Sequence, residues 1–135
     1  MSVRRTYLQC IHRGYSLSTV RFDPAVHLPL TPAMLQVLVA LADGEKHGYA
    51  ILKEVARRTE GRVQLRAGTL YTVLKRFVAD GLVAESTERP DPALDDERRR
   101  YYRLTDHGRA VAVAEAVRMA ETLKQARAKL AIKRA

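Results

Sequence analysis

The segment between residues 67 and 80 carries side chains whose chemistry suits a polyanion. Plotted as a helix at about 100° per residue, Thr69, Thr72 and Arg76 share one face, and Tyr71 and Lys75 flank it. Threonine hydroxyls can bond base edges or phosphates, a guanidinium can bond guanine or phosphate, and lysine and tyrosine can reach phosphates on either side. The alternative interpretation is an ordinary amphipathic helix with a solvated polar face.

A second cluster of cations follows at Arg98, Arg99 and Arg100. Beside a duplex these side chains could meet phosphates or enter the minor groove, although alternation along a strand prevents all three from pointing the same way. The alternative is a charge cluster that keeps an edge strand soluble. The preceding Asp95-Asp96-Glu97 could hold a divalent cation weakly, but a solvated acidic loop is the better interpretation.

The sequence lacks the converging polar groups that catalysis or metal binding requires. The histidines are spread along the chain, and Cys10 has only His12 close to it in sequence. The sequence also shows no phosphate-binding glycine loop, serine nucleophile motif or catalytic carboxylate pair. We therefore predict a protein that is not an enzyme and that uses no cofactor and no metal.

The composition is that of one basic globular domain. The 135 residues include 24 Lys and Arg against 15 Asp and Glu, so the formal net charge is +9. This balance favours a nucleic-acid partner, but it also fits a soluble basic protein that has none. A single cysteine cannot form an intrachain disulfide, and neither a membrane span nor a secretory signal is visible, so we expect a cytoplasmic protein without a membrane partner.

Hydrophobic periodicity and turn signals predict the elements that position these residues. The expected order is three helices, a hairpin and a final helix. The three helices cover Thr31–Asp43, about His47–Thr59 and about Ala67–Asp80. The hairpin pairs Leu82–Thr87 with Arg99–Leu104, and the final helix runs from Thr105 to about Lys133. The inner face of the third helix should consist of Leu70, Leu74, Phe77 and Val78. Gly48 and Gly68 stand at helix entries, where backbone amides could approach a phosphate, although Gly68 could equally be a plain turn residue.

This order predicts a mainly α fold with a small β-hairpin, that is, a winged helix-turn-helix with an added C-terminal helix. We expect a basic N-terminal extension over residues 1–27, flexible or with a short helix, and a DNA-binding domain over residues 28–104. Residues 105–135 would form a dimerisation helix. Its stripe consists of Val113, Val117, Ala120, Leu123 and Leu130. The alternative is that this stripe packs only on its own domain.

The stretch from Leu28 to Gly108 resembles the PadR family of bacterial transcriptional regulators. The resemblance starts with a hydrophobic first helix, Leu35 to Leu41. It continues with four motifs in the expected order and spacing: His47-Gly48-Tyr49-Ala50-Ile51, Ala67-Gly68-Thr69-Leu70-Tyr71, Gly81-Leu82-Val83, and Arg99-Arg100-Tyr101-Tyr102-Arg103-Leu104-Thr105-Asp106-His107-Gly108. The resemblance implies a dimeric, repressor-like protein on an inverted repeat, with the C-terminal helix making the dimer. It also implies DNA contacts by Tyr49, Thr69, Tyr71, Lys75, Arg76, Arg99 and Arg100.

Three departures from the family pattern bear on this resemblance. Ala67 and Ala50 replace the family's proline and glutamate, and Asp95-Asp96-Glu97 stands where a Gly-Arg wing tip is usual. The first two leave the helix starts intact, whereas the third puts negative charge next to DNA. We predict a sequence-specific, DNA-binding repressor that acts as a homodimer, for which a small-molecule effector is a further partner that the resemblance allows. The alternative is a winged-helix adaptor that binds protein instead of DNA.

Overall fold

The computed structural model describes residues 21–86 and 100–133. Within them lie four α-helices, α1 (Pro32–Ala40), α2 (Gly48–Arg58), α3 (Ala67–Ala79) and α4 (Asp106–Leu130). Three short strands, β1 (Lys46–His47), β2 (Val83–Ser86) and β3 (Tyr101–Leu104), form one sheet in the order β1-β3-β2. The predicted class, mainly helical with a hairpin and a C-terminal helix, is confirmed.

The helix boundaries follow local capping chemistry. The Thr31 hydroxyl accepts from the Met34 amide at the start of α1, and the Thr105 hydroxyl accepts from the Gly108 amide at the start of α4. Gly81 turns the chain after α3 with a φ of 75°, a left-handed value that glycine adopts without strain. The predicted bounds of the second and third helices agree with the structure to within one residue.

The hydrophobic core lies where α1, α2 and α3 meet the sheet and the first turns of α4. Its fully buried members include Val37, Leu38, Ile51, Phe77 and Val111. Burying side chains of this size stabilises the fold by about 1.5–3 kcal/mol each. The inner face predicted for the third helix is part of this core, with Leu70, Leu74 and Phe77 buried and Val78 half-buried.

Two elements have no counterpart in the sequence prediction. Strand β1 pairs antiparallel with β3, His47 opposite Tyr101, which turns the hairpin into a three-stranded sheet. One turn of 3-10 helix, Pro24–His27, packs on α4, and Phe22 stacks on His107 at 3.9 Å between ring centres. This turn falls inside the segment expected to be a basic extension. The short helix expected near residues 4–12 lies outside the described residues.

Among the described residues, side-chain hydrogen bonds join α4 and its N-cap residue, Thr105, to the rest of the fold. The Thr105 hydroxyl donates to the Gly81 carbonyl at 2.7 Å, and Arg109 donates to the Ala42 carbonyl at 3.0 Å. The Glu115 carboxylate, only 1% exposed, accepts from the Leu30 amide at 2.6 Å and pairs with Arg118. Burial alone would raise the pKa of Glu115, but the hydrogen bonds from Arg118 and Leu30 outweigh it and hold the pKa below its ordinary value.

Gly108 lets α4 approach the loop after α3. A side chain there would place its Cβ 1.9 Å from the Leu82 carbonyl oxygen, so only glycine fits. The glycine that ends the fourth motif therefore has a packing role, at the point where the first turn of α4 meets the backbone of the chain leading into β2.

Candidate nucleic-acid interface

The outward face of α3 is open to solvent. One side of the helix is buried in the core, whereas the opposite side carries five exposed residues: Thr69, Thr72, Lys75, Arg76 and Ala79. We refer to these five residues as the outward face. The amphipathic division predicted from the sequence is therefore confirmed, and hydroxyl, ammonium and guanidinium groups stand together on a surface that a groove could reach.

The polar groups of the outward face have few partners among the described residues. The Thr72 hydroxyl donates to the Gly68 carbonyl at 2.9 Å, which leaves its lone pairs free to accept. The Arg76 side chain is 71% exposed, and its Nε lies 3.9 Å from an Asp80 carboxylate oxygen. An exposed pair at this distance contributes little stability, so a phosphate could replace the carboxylate at small cost.

The N-terminal turn of α3 is electropositive. Arg66 precedes the helix without capping it through its side chain, and no acidic residue lies in the first turn. The helix dipole and the free amides of the first turn therefore add to the charge of an exposed arginine. Arg66 was not among the predicted site residues, because it lies outside the periodic pattern of the helix.

The two glycines at helix entries have different surroundings. A Cβ on Gly48 would lie 2.8 Å from the Tyr71 hydroxyl oxygen, so Gly48 makes room for a half-buried tyrosine within the fold. A Cβ on Gly68 would meet nothing within 4 Å. Tyr71 is thus the most enclosed of the described residues predicted to touch DNA, whereas Gly68 has no packing reason to be glycine.

Tyr49 lies near the start of α2 and is 59% exposed. The Lys53 ammonium stands 4.8 Å from its ring centre, a cation–π contact, and the His47 ring lies nearly parallel to it. His47 caps α2, because its Nδ1 accepts from the Ala50 amide at 3.2 Å. Histidine is outside the usual set of capping residues, so sequence reasoning missed this role.

The described part of the wing supplies one predicted cation. Arg100 is exposed just before β3 and forms an ion pair with Glu85 of β2, at 2.9 Å. Outside the described residues lie Arg98, Arg99, the acidic triplet at residues 95–97 and the turn between the strands. Tyr102 is buried, whereas Tyr101, whose side chain points to the opposite face of the strand, is half-buried.

A second exposed surface, of opposite chemistry, lies on α4. Four large apolar side chains are between 43% and 70% exposed there, namely Val113, Val117, Leu123 and Leu130. Ala120 is exposed between them. We refer to these five residues as the apolar stripe. They are the residues predicted to form a dimer interface.

Comparisons with known proteins agree with this architecture. The Transcriptional regulator PadR-like family model matches residues 37–114. A curated transcriptional regulator of Mycobacterium tuberculosis is 39% identical over 76 residues, which is 56% of this chain and 64% of that protein. The chain spans just under two thirds of the length of the curated relatives that it matches.

Two solved structures illustrate the likeness of fold. A transcriptional regulator from Clostridium thermocellum superposes with a TM-score of 0.58 at 24% identity, over 68% of this chain and 84% of the other. Bordetella bronchiseptica BpsR, whose DNA binding is regulated by 6-hydroxynicotinic acid, gives a TM-score of 0.53 at 27% identity, over 91% of this chain and 76% of the other.

No helix in residues 21–86 and 100–133 is both long and apolar enough to cross a bilayer. The matched segment, residues 37–114, extends from α1 into α4 and contains the outward face of α3. Members of the matching family are transcriptional regulators and not enzymes. The chain belongs to the PadR-like family of transcriptional regulators.

Proposed function

We propose that this protein represses transcription by binding double-stranded DNA as a homodimer on an inverted repeat, with α3 in the major groove. The single observation that carries the proposal is the division of α3 into a buried apolar side and an exposed side of threonine, lysine and arginine. A recognition helix needs both properties, since it must be anchored in the domain while its side chains reach base edges.

The contacts divide by chemistry. Thr69, Thr72 and Arg76 point away from the core on the side of α3 that would enter the groove, so we assign them to base edges and nearby phosphates. Lys75 and Tyr49, exposed at the edges of this surface, are assigned to phosphates. Tyr71 is half-buried and its hydroxyl oxygen lies against Gly48, so we assign it to a phosphate beside the start of α2.

The wing would add phosphate or minor-groove contacts through Arg99 and Arg100. Arg100 forms an ion pair with Glu85 across the hairpin, so a phosphate contact would have to compete with a carboxylate on the neighbouring strand. Because the Arg100 side chain is half exposed, this exchange costs little. The Arg100–Glu85 pair is nonetheless closer than the 3.9 Å pair of Arg76 with Asp80, so we expect a smaller contribution from the wing than from α3.

Dimerisation is supported by the exposed apolar stripe on α4. Large apolar side chains on one surface mark an interaction site, and a twofold pair of α4 helices would place two α3 helices on two half-sites. In this proposal residues 28–104 form the DNA-binding part and residues 105–135 the dimerisation helix. In this proposal the protein works in the cytoplasm, the compartment that holds the chromosome.

The test is binding of the full chain to a fluorescent duplex, measured by anisotropy at 50 mM and at 200 mM salt. If each dimer neutralises at least four phosphates, affinity should fall by about a hundredfold over this range, because counterions are released on binding. Affinity that does not change with salt, or no binding at 50 mM salt, would overturn the proposal and favour a protein-binding adaptor. Selection from random duplexes then identifies the operator.

A further inference from the structure

His47 contacts three different parts of the molecule. It is the last residue of β1, opposite Tyr101 of β3, and it directly precedes α2. Its ring meets the Tyr101 ring edge-on, with 5.7 Å between ring centres and 80° between planes. It also lies nearly parallel to the Tyr49 ring, at 6.5 Å and 8°. A single side chain therefore joins the wing strand, the start of α2 and an exposed tyrosine.

The strongest of these contacts is the helix cap. The Nδ1 atom of His47 accepts from the Ala50 amide at 3.2 Å, one of the first-turn amides of α2 that have no partner within the helix. Accepting requires a lone pair on Nδ1, so the ring proton of the capping form is on Nε2. Without this bond the first turn of α2, which carries Tyr49, would lose its main local restraint.

Tyr49 depends on this turn because it has few other restraints among the described residues. It is 59% exposed, and its ring contacts are the His47 ring and the Lys53 ammonium. Lys53 lies one helical turn further along α2. Its ammonium group therefore contacts the Tyr49 ring only if the first turn, which carries Tyr49, is helical. The position of the Tyr49 hydroxyl group therefore follows from where the cap begins the helix.

We propose that His47 is a positioning residue, whose Nδ1 cap holds Tyr49 where it can contact a phosphate of bound DNA. This inference rests on the proposed function, since Tyr49 is a contact only if the protein binds DNA. The cap acts more strongly than the ring, because the hydrogen bond is direct whereas the centres of the His47 and Tyr49 rings are 6.5 Å apart.

Three variants separate the cap from the ring. His47→Asn keeps a capping acceptor and removes the ring, His47→Phe keeps a ring and removes the acceptor, and His47→Ala removes both. Duplex affinity at 50 mM salt should stay within about twofold of wild type for the asparagine variant and fall about three- to fivefold for the other two. An asparagine variant as weak as the alanine variant would overturn the proposal.

A double-variant cycle with Tyr49→Ala separates positioning from general loss of stability. His47→Ala should weaken binding in the wild-type background but cause no further loss when Tyr49 is already absent. The matched control is Thr31→Ala, which removes the same kind of cap from α1. It should lower the melting temperature by a similar amount and leave duplex affinity unchanged. An equal loss of affinity in both backgrounds would mean that His47 acts through stability alone.

A measurement without DNA distinguishes failure of this inference from failure of the proposed function. Amide hydrogen exchange at Ala50 should be slow in the wild type and the asparagine variant, and fast in the alanine and phenylalanine variants. If the wild type binds no duplex but this exchange pattern holds, the DNA-binding proposal fails, whereas the capping of α2 by His47 is confirmed. Fast exchange at Ala50 in the wild type would overturn the positioning role whatever the DNA result.

Discussion

The outward face of α3 and the apolar stripe of α4 are both exposed, yet they differ in every other respect. The first consists of small, polar and cationic residues, and the second of valine, leucine and alanine. Water solvates the first without penalty, whereas exposing the second to water costs about 25 cal/mol per Å² of apolar area. Exposure therefore has two meanings in the proposed function: the first surface would meet a polyanion and the second would meet another copy of the chain.

The largest effect should come from charging the apolar stripe. Val117→Glu with Leu123→Glu places two carboxylates per helix in the proposed interface, where burial of unpaired charge is strongly unfavourable. We expect the dimer to weaken at least about a thousandfold and the protein to elute as a monomer. Size-exclusion chromatography with light scattering measures this.

The matched control adds the same charges on the opposite side of α4, as Thr122→Glu with Gln125→Glu. Both positions are exposed, so this control variant should stay folded and dimeric. A wild-type protein that is monomeric at tens of micromolar, or a control that dissociates as fully as the test variant, would contradict the assignment of the stripe.

The second effect concerns the outward face. Lys75→Ala with Arg76→Ala removes two exposed cations from α3 and should weaken duplex binding by about ten- to a hundredfold at 50 mM salt. The slope of log affinity against log salt should fall by about two per protomer, one for each lost phosphate contact. Lys129→Ala with Lys133→Ala, which removes the same charge from the last turn of α4 and the residues just after it, should change neither quantity as much.

The third effect tests how α4 is attached to the chain just before α1. Glu115→Gln retains one acceptor for the Leu30 amide but loses the charge that pairs with Arg118, so the free energy of unfolding should fall by about 1–2 kcal/mol at pH 7. Because the folded-state pKa of Glu115 is lowered, its contribution is complete above the unfolded-state pKa and is lost as the pH falls through the folded-state value.

The difference in stability between wild type and Glu115→Gln should therefore shrink as the pH falls below the ordinary pKa of a glutamate, about 4.3. Urea unfolding monitored by circular dichroism measures it at each pH. A difference that stays constant on acidification would show that the charge of Glu115 does not stabilise the fold.

The smallest effect separates folding from binding at one residue. Gly68→Ala places a methyl group in open space within α3, so stability should rise by up to about 0.5–1 kcal/mol. Duplex affinity should nonetheless fall about threefold, because the methyl group lies where a phosphate would approach the first-turn amides. Unchanged affinity would assign Gly68 to an ordinary helix start.

Much of the outward face of α3 could be predicted from the sequence because it depends on local patterns. The period of Leu70, Leu74 and Phe77 determines which side of α3 is buried, and hence that Thr69 and Arg76 face outward. The caps at Thr31 and Thr105 likewise involve residues three apart in the chain. Four short motifs in a particular order were enough to indicate the family.

Tertiary structure alone decided the contacts between residues distant in sequence. Strand β1 exists because β3 pairs with it, and two residues are too short to produce a periodic signal. Glu115 looks like an exposed helical glutamate in sequence, yet it meets the Leu30 amide 85 residues away. Gly108 is required only because the Leu82 carbonyl lies against it. Local propensity carries no information about such partners, since they meet only when the core has packed.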